Sequence, residues 1–347
     1  MRARAVIGSI VLVLSAALAA CGEEQDTIKA GDLIQASADD QFKDGKEATV
    51  TLPTGRLLIH TAEPVDSATG DDTRTRQAVD APSGAVLVPI SWQYDPWDQG
   101  RLERIVDSSD TPIVDLVTDE ERYRLPPPEL GDEGGESFYV VVDGEAEDRS
   151  LEIEFDGVTQ SVNLANGRTD AGDAAALYDI RDDALQKASC DDDERWFDSV
   201  TVSAEFTCDR FGPVLTPYAA GEWAPEGSLW LALTVQTEMR IYAEANLLGG
   251  GARFVATDVT VKPDIDGDEP TFVISADNDD DTCPSPLTTA CGWSKTLIFE
   301  VPADDAEQGP LDLDVAYRMK VAIAWGGHIP PKRMKVEASE EIKLWDD

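Results

Sequence analysis

Apolar and polar side chains alternate along much of residues 47–165, which is the pattern of half-buried β-strands. Residues 151–155 are Leu-Glu-Ile-Glu-Phe, so the apolar side chains would share one face of a strand and the carboxylates the other. Asp156-Gly157 follows directly, and an Asp-Gly pair between two alternating runs predicts a tight hairpin turn. The pattern predicts seven strands in this part of the chain, at residues 48–52, 56–61, 85–94, 112–117, 137–142, 150–155 and 158–163.

Residues 166–195 interrupt this alternation, and we interpret them as a linker between two domains. Turn-forming residues come first, and Leu177, Ile180 and Ala184 then follow at the spacing of a short amphipathic helix. The alternation returns at residue 196. The strands predicted from there are 197–206, 214–218, 228–237, 240–245, 253–262, 271–276, 295–301 and 311–320, with 334–345 as a candidate for the last strand. We therefore expect an all-β protein with one domain at 47–165 and a second at 196–347.

The N-terminus has the three parts of an export signal in their usual order. Arg2 and Arg4 give a positive start, and an apolar run of sixteen residues, 5–20, leads to Cys21. This run is shorter than the ~20 residues that a membrane-spanning helix needs. The tetrapeptide Leu18-Ala19-Ala20-Cys21 resembles the lipobox of bacterial lipoproteins, which implies cleavage before Cys21 and lipid attached to its sulfur. The alternative is an ordinary signal peptide followed by a chance cysteine.

Residues 21–46 are acidic and polar and contain few large apolar side chains. Such a composition cannot bury enough apolar surface to offset the entropy lost on ordering, so we expect a flexible tether. The predicted order is a signal peptide at 1–20, a lipid-anchored tether at 21–46, and folded domains on the extracytoplasmic face of the cell membrane. The predicted contact with the membrane is made through the lipid alone.

The chain has a large excess of acidic residues. Its 69 Asp and Glu against 28 Lys and Arg give a formal net charge of −41. Because nucleic acids and anionic lipid head groups are also negative, this charge argues against both as partners. Net charge is first of all a determinant of solubility. It therefore restricts the classes of partner without indicating a binding site.

Four cysteines besides Cys21 lie in the second half of the chain: Cys190, Cys208, Cys283 and Cys291. An even number of cysteines in an exported protein predicts disulfides. Three pairings can be drawn, and proximity in sequence favours Cys190 with Cys208 and Cys283 with Cys291. A zinc site is the competing interpretation, but the chain has no Cys-x-x-Cys and only two histidines, His60 and His328.

Two segments of the second half resemble a known type of cell-surface domain. They are Gly227-Ser228-Leu229-Trp230-Leu231-Ala232-Leu233-Thr234-Val235 and Thr296-Leu297-Ile298-Phe299-Glu300-Val301-Pro302. They look like the immunoglobulin-like domain of unknown function in many Gram-positive surface lipoproteins, sometimes called the immunoprotective extracellular domain. With weaker similarity in the first half, the resemblance implies two tandem immunoglobulin-like β-sandwiches with a role in binding or structure.

Acidic loops of the second half are candidate calcium sites, because Ca²⁺ prefers several closely spaced carboxylate oxygens. The candidate ligands form two groups, Asp264, Asp266 and Asp268, and then Asp277, Asp279 and Asp281. The first group has the spacing of an EF-hand start, but Glu269 and Ser275 replace the required Gly and Glu. The alternative is that both loops are solvated acidic turns.

Trp92, Trp97 and Trp223 lie near turn residues and are candidates for stacking on a ligand such as a cell-wall glycan. The alternative for each is packing in a core, which is the usual role of aromatic residues in β-sandwiches. The chain has no Gly-x-Ser-x-Gly elbow, phosphate loop or His-Glu-x-x-His motif. A Ser-His-Asp hydrolase that uses His60 or His328 stays open.

These patterns together predict a non-catalytic surface lipoprotein that needs no cofactor. We expect it to bind an extracellular protein or a cell-wall glycan, and not nucleic acid. A calcium-binding adhesion or stability module is the first alternative, and a secreted hydrolase is the second.

Overall fold

The structure, a computed structural model, describes residues 28–96, 102–128, 135–181, 184–190, 196–275, 283, 290–304 and 309–345. In these residues nearly all regular elements are antiparallel β-strands, accompanied by one short α-helix and one 3₁₀-helix. The all-β prediction is confirmed. The predicted signal peptide and Cys21 lie outside the described residues.

The first half is a sandwich of two five-stranded sheets. Its elements are β1 (Leu33–Gln35), β2 (Lys46–Leu52), β3 (Gly55–Thr61), β4 (Ser67–Ala68), β5 (Val79–Asp80), β6 (Ala85–Pro96), α1 (Leu102–Val106), β7 (Ile113–Thr118), β8 (Arg122–Leu125), β9 (Glu136–Asp143), β10 (Arg149–Phe155), β11 (Val158–Asn163) and β12 (Arg168–Asp170). One sheet has the order β1-β9-β6-β3-β2 and the other β12-β11-β10-β7-β8, while β4 and β5 form a separate ribbon.

The alternation of apolar residues explains why these sheets pack face to face. In β10, Leu151, Ile153 and Phe155 are buried and the two glutamates between them are half-buried on the other face. The inward faces of both sheets share one core. β10 and β11 pair in register up to Phe155 opposite Val158, and Asp156 and Gly157 both have positive φ in the turn. The predicted hairpin is therefore confirmed.

Residues 28–46 are folded against the first sheet and contribute β1 to it, so the tether prediction is wrong for this range. β1 pairs with β9, and Leu33 lies opposite Val140. Phe42 packs its ring edge-to-face against Tyr139 with 5.0 Å between the centroids, and its N–H donates to Ser91 Oγ at 3.1 Å. A few apolar side chains on a sheet are enough to order this segment, which composition alone does not indicate.

The second half is built from fewer and longer strands. Its elements are the 3₁₀-helix (Gly172–Asp179), β13 (Lys187–Ser189), β14 (Val202–Thr216), β15 (Tyr218–Ala219), β16 (Glu222–Trp223), β17 (Ser228–Ala245), β18 (Gly251–Ile265), β19 (Phe272–Ser275), β20 (Cys291–Pro302), β21 (Leu311–Trp325) and β22 (Arg333–Ile342). β15 and β16 form a small ribbon, and the other eight strands form one sheet.

β17 connects two layers of this eight-stranded sheet. Residues 228–239 pair with β20, whereas residues 242–245 pair with β18, which in turn pairs with β21 and then β22. Both layers bury side chains in one core, which includes Phe206, Phe254 and Tyr317. An immunoglobulin sandwich is built from two separate sheets, whereas here one sheet bends around its core, so the immunoglobulin-like layout stays a prediction.

Two pairs of predicted strands are each a single strand in the structure. The predicted strands 228–237 and 240–245 are both part of β17, and β14 covers much of the predicted strands 197–206 and 214–218. The register of β14 against β17 shifts between Glu205 and Phe206 and again between Phe211 and Val214. A β-bulge moves the following side chains to the other face, which interrupts the alternation that sequence reasoning uses.

The described residues of the predicted linker, 166–181 and 184–190, include a segment that packs at a junction between the two halves. Ala174 and Leu177 of the 3₁₀-helix are buried in one cluster with Trp230 and other residues of the second half. The predicted short helix is thus present as a 3₁₀-helix. β12, before it, is an edge strand of a sheet in the first half, and β13, after it, is an edge strand of the sheet in the second half. In addition, the N–H groups of Ala220 and Gly221 donate to backbone carbonyls of α1, both at 2.8 Å.

Both disulfides favoured by sequence proximity are present. Cys190 bonds to Cys208 on β14 with 5.3 Å between the Cα atoms, and Cys283 bonds to Cys291 on β20 with 4.1 Å. Because all four sulfurs are paired, none of them is a thiolate ligand for zinc. Two disulfides indicate an oxidising compartment.

Candidate interaction surface

The first acidic loop is a tight hairpin turn. Ile265 and Asp268 exchange backbone hydrogen bonds of 3.1 and 2.9 Å, and the two residues between them, Asp266 and Gly267, have φ of 55° and 90°. Asp264 Oδ1 accepts the N–H of Gly267 at 2.9 Å. A two-residue turn with positive φ at both positions favours Asn, Asp and Gly, so backbone geometry accounts for these acidic residues.

The calcium prediction is not supported by the part of the chain that the structure describes. There, no three Asp, Glu, His or Cys side chains are grouped so that they could hold one metal ion. Asp277, Asp279 and Asp281 lie outside the described residues. A calcium site that uses this second loop stays a prediction.

Trp92 is a core residue, so the prediction that it stacks on a ligand is wrong. Its side chain is 2% exposed, and its ring packs edge-to-face on Phe138 with 4.8 Å between the centroids. Its Nε1 donates to Glu136 at 3.2 Å. Trp97, the second candidate, lies outside the described residues.

Trp223 has a structural role at the junction in place of the predicted ligand-stacking role. Its Nε1 donates to the carbonyls of Phe155 and Asp156 at 3.2 and 3.1 Å, both in the β10–β11 hairpin of the first half. The ring meets that of Tyr218 at 5.0 Å in an edge-to-face arrangement, and Tyr218 packs in the same way on Phe155. Trp223 therefore holds the second half against the first.

The alternative of a serine hydrolase that uses His60 or His328 gains no support from the described hydrogen bonds of His60. His60 Nδ1 is buried and has no hydrogen-bond partner within the described chain. Ser91 lies opposite His60 in the sheet, but its hydroxyl is hydrogen-bonded to Ser137 and accepts the N–H of Phe42. His328 lies in the loop between β21 and β22.

A groove of about 720 Å³ lies beside the junction, with Lys187, Arg210, Leu229 and Trp345 among its lining residues. Its cations make internal contacts. Lys187 forms an ion pair with Asp209 at 2.7 Å, and Arg210 donates to the Gly212 carbonyl. These contacts support the local fold, so neither Lys187 nor Arg210 is set aside for a ligand.

Large apolar side chains are exposed together at the other end of the second half. We call this surface the apolar tip and define it by Leu247, Leu248, Ile323, Trp325 and Ile329. Leu247, Leu248 and Ile329 are 92%, 96% and 93% exposed, and Ile323 and Trp325 are about half exposed. Soluble proteins rarely leave such a set in contact with water unless it binds something.

Two loops that touch each other form the apolar tip. The first, 246–250, joins β17 to β18, and the second, 326–332, joins β21 to β22. Gly251 pairs with Trp325 at the end of the β18–β21 ladder. A Cβ atom on Gly326 would lie 2.6 Å from the Cα of Gly250, so the loops approach each other as closely as glycine allows.

Asn246 gives the first loop a defined shape. Its Oδ1 accepts the N–H of Leu248 at 3.0 Å and of Gly250 at 2.9 Å, and its own N–H donates to the Gly250 carbonyl at 2.8 Å. An asparagine that accepts from the backbone in this way stabilises a turn. The loop therefore satisfies its own polar groups while Leu247 and Leu248 point into solvent.

Basic side chains are concentrated on the β21–β22 hairpin, next to the apolar tip. Residues 317–335 include five lysines and arginines and no aspartate or glutamate, in a chain whose net charge is −41. We call these residues the basic band: Arg318, Lys320, Lys332, Arg333 and Lys335. Arg318 lies opposite Lys335 and Lys320 opposite Arg333 on the β21–β22 ladder, and all five are exposed.

Only part of the basic band is neutralised. Arg318 forms an ion pair with Asp258 at 3.3 Å, and Lys335 pairs with Glu337 on the same strand. Lys320, Lys332 and Arg333 make no ion pair with any residue that the structure describes. The end of the β21–β22 hairpin is therefore a local cationic surface on an anionic protein.

The apolar tip lies far from the N-terminal end of the fold. Trp230, near the start of β17, is buried at the junction, and Ala245 begins the tip fifteen residues later. At ~3.3 Å per residue, β17 covers up to ~50 Å of strand between the junction and the tip. In the first half, the N–H of Gly31 donates to the Val141 carbonyl, close to the point where β9 pairs with Ala85 at the start of β6. The junction lies beyond the opposite end of β6, so the N-terminal segment and the junction are at opposite ends of the first half.

Sequence reasoning did not single out the apolar tip. By the alternation pattern, Leu247-Leu248 belongs to the connection between two strands and residues 326–331 form a loop. Two signals were available in the sequence. A Leu-Leu pair followed by three glycines is a poor core segment, and a basic run is unusual in so acidic a chain.

A comparison with known protein families and with curated proteins found no match. The resemblance to immunoglobulin-like surface domains therefore stays a prediction. Among the described residues, no helix is long and apolar enough to cross a bilayer.

Proposed function

We propose that this protein is an exported lipoprotein, held at the membrane by lipid on Cys21, and that it acts as a non-catalytic interaction module through its apolar tip. One observation carries the proposal: Leu247, Leu248 and Ile329 are more than nine-tenths exposed and lie on two loops in contact. Exposed apolar patches of this kind mark surfaces that meet a partner. The export signal, the lipobox and two disulfides support a location outside the cytoplasm.

The arrangement of the fold suits a surface module of this type. Residues 21–27 can span at most ~25 Å even when fully extended, whereas β17 alone covers up to ~50 Å of strand between the junction and the tip. A molecule anchored at Cys21 keeps its N-terminal end near the anchoring lipid, and the tip lies at a distance from the anchor point. The antiparallel sheets of both halves serve as the rigid support.

Membership in the immunoglobulin-like surface domains is part of the proposed function. Immunoglobulin-like surface domains commonly bind through loops at the ends of strands, and the apolar tip is a pair of such loops. The partner classes expected from the sequence, an extracellular protein or a cell-wall glycan, remain compatible with this position.

Lipid attachment and tip binding can be tested separately. We expect Cys21→Ala to move the protein from the membrane fraction to the medium. For the tip, the chain from residue 21 with Cys21→Ser is mixed with isolated cell envelopes and sedimented. Leu247→Ser with Leu248→Ser should lower the bound fraction about tenfold, because each leucine loses the gain from burial.

Val273→Ser is the matched control for the tip variant. Val273 is an exposed apolar residue on β19, whose neighbours Phe272 and Ile274 pack at the junction and not at the tip. We expect its envelope binding to equal that of the unchanged chain. Equal binding by the double-leucine variant would refute the role of the tip.

A further inference from the structure

We infer that the apolar tip docks on the surface of an anionic lipid bilayer, an inference that rests on the proposed function of the tip as a binding surface. Three features of the tip support a bilayer over a protein pocket. They are the chemistry of its loops, the position of the basic band, and the unfavourable charge for self-association.

Apart from Lys332 at the end of the second loop, the loops of the apolar tip carry no formal charge that insertion would have to desolvate. Residues 245–252 and residues 321–331 contain no aspartate, glutamate, lysine or arginine. In the first loop the side chain of Asn246 already accepts two backbone N–H groups. Leucine and isoleucine side chains can therefore enter the head-group region without burying an unpaired charge.

Trp325 lies at the base of the same loops and is 41% exposed. Tryptophan is enriched at the boundary between head groups and acyl chains, because its ring is apolar and its N–H is polar. With Leu247, Leu248 and Ile329 further out, the tip has the order of side chains expected of a shallowly inserted surface.

The basic band lies on β21 and β22 and at the end of the second loop, next to the apolar side chains of the tip. Lys332 is the last residue of the second loop, and Lys320 and Arg333 face each other on the adjoining strands. When the leucines enter the interface, these side chains would be level with the lipid phosphates. Long basic side chains at this depth favour anionic over neutral lipids.

The net charge of the chain does not oppose this contact. Interactions between exposed charges are screened over ~8 Å at physiological salt, so a bilayer at the tip responds to the local charge. Of the described acidic groups near this end, Asp258 and Glu337 are neutralised by ion pairs with Arg318 and Lys335. Glu244 lies on β17 and is separated from β21 by the intervening strand β18. The expectation that anionic lipids are excluded was derived from the total charge, which hides this local reversal.

A second copy of the chain is a poorer partner for the same surface. Two tips that met would bring their basic bands together, and like charges repel. A bilayer with anionic lipids offers an apolar layer and negative charge in the same order as the tip. The observations therefore favour the bilayer.

The experiment uses the chain from residue 21 with Cys21→Ser, so that no lipid on the protein contributes to binding. The probes are vesicles of phosphatidylcholine alone and of phosphatidylcholine mixed with phosphatidylglycerol, separated by flotation. We expect binding to the anionic vesicles, weaker at high salt, and little binding to the neutral ones. Leu247→Ser with Leu248→Ser should reduce binding about tenfold or more.

The basic band is tested in the same assay. Lys332→Gln with Arg333→Gln should weaken binding to anionic vesicles several-fold and make it less dependent on salt. Lys262→Gln is the control, because Lys262 is exposed on β18 opposite Asp314 and outside the basic band. Circular dichroism and the melting temperature verify that each variant is folded.

Two results would overturn the inference. If neither vesicle is bound while cell envelopes are still bound through Leu247 and Leu248, the partner is a protein or glycan and the proposed function alone survives. If sedimentation velocity shows association of the protein alone that depends on the same leucines, the tip binds a second copy. Failure of envelope binding as well would refute the proposed function itself.

Discussion

Trp223 provides the sharpest test of how the two halves are held together. In Trp223→Ala the Nε1 hydrogen bond to the Phe155 and Asp156 carbonyls is lost, at a cost of about 1 kcal/mol. Loss of the edge-to-face contact with Tyr218 costs about another 1 kcal/mol. Exposure of the largely buried ring adds roughly 2 kcal/mol. We therefore expect a total loss of about 4 kcal/mol, within the range for such substitutions.

Calorimetry and guanidinium unfolding measure this change. Because Trp223 spans the junction, the variant should unfold at a lower temperature and with the transitions of the two halves further apart. Trp223→Phe keeps the ring and loses only the N–H, so it should cost about 1–2 kcal/mol.

Trp325→Ala is the matched control for Trp223→Ala, since Trp325 is 41% exposed at the tip. Its stability loss should be clearly smaller and should leave the separation of the transitions unchanged. A loss below about 1 kcal/mol for Trp223→Ala would refute the structural role assigned to this residue.

Three further predictions concern the disulfide, the pH response and calcium. Alanine at both Cys190 and Cys208 opens a loop with a sequence separation of 18 residues, and should cost about 3 kcal/mol in guanidinium unfolding; unchanged stability would contradict this. Burial opposes ionisation of Asp115, but hydrogen bonds from Arg124 and Arg122 outweigh it and lower the pKa of this carboxyl. The ionised Asp115 therefore stabilises the fold fully above the ordinary carboxyl pKa, and this stabilisation is lost as the pH falls through the lowered pKa. In Asp115→Asn, the free energy of unfolding should fall less steeply as the pH is lowered into the acid range. An unchanged acid dependence would argue against the ion pairs. Millimolar Ca²⁺ added after EDTA should leave the melting temperature unchanged, whereas a rise of several degrees that Mg²⁺ does not reproduce would revive the calcium alternative.

The local strands were predictable because alternation has a direct physical cause. A strand with one buried face must place apolar side chains at every second position, as β10 and β3 do. Prediction was weakest where burial comes from few residues or where a bulge shifts the register. β1 and the segment around Phe42 were missed for the first reason, and the continuous β14 for the second.

The candidate site could not be predicted from spacing. Trp92 and Trp223 were chosen for their nearness to turns, yet one lies in a core and the other at the junction. A turn residue in sequence can still be covered by a segment far along the chain. The exposed fraction of a side chain depends on those distant segments, and the alternation pattern does not contain them.

The sequence by itself determined the all-β class, the faces of the regular strands and the favoured disulfide partners. These properties depend on neighbours close along the chain, through the two-residue period of a strand and the entropy of closing short loops. Only the tertiary structure decided that loops 246–250 and 326–332 touch, because their contact follows from the pairing of β18 with β21. The same pairing places the basic band behind the exposed leucines, and so turns two unremarkable loops into one surface.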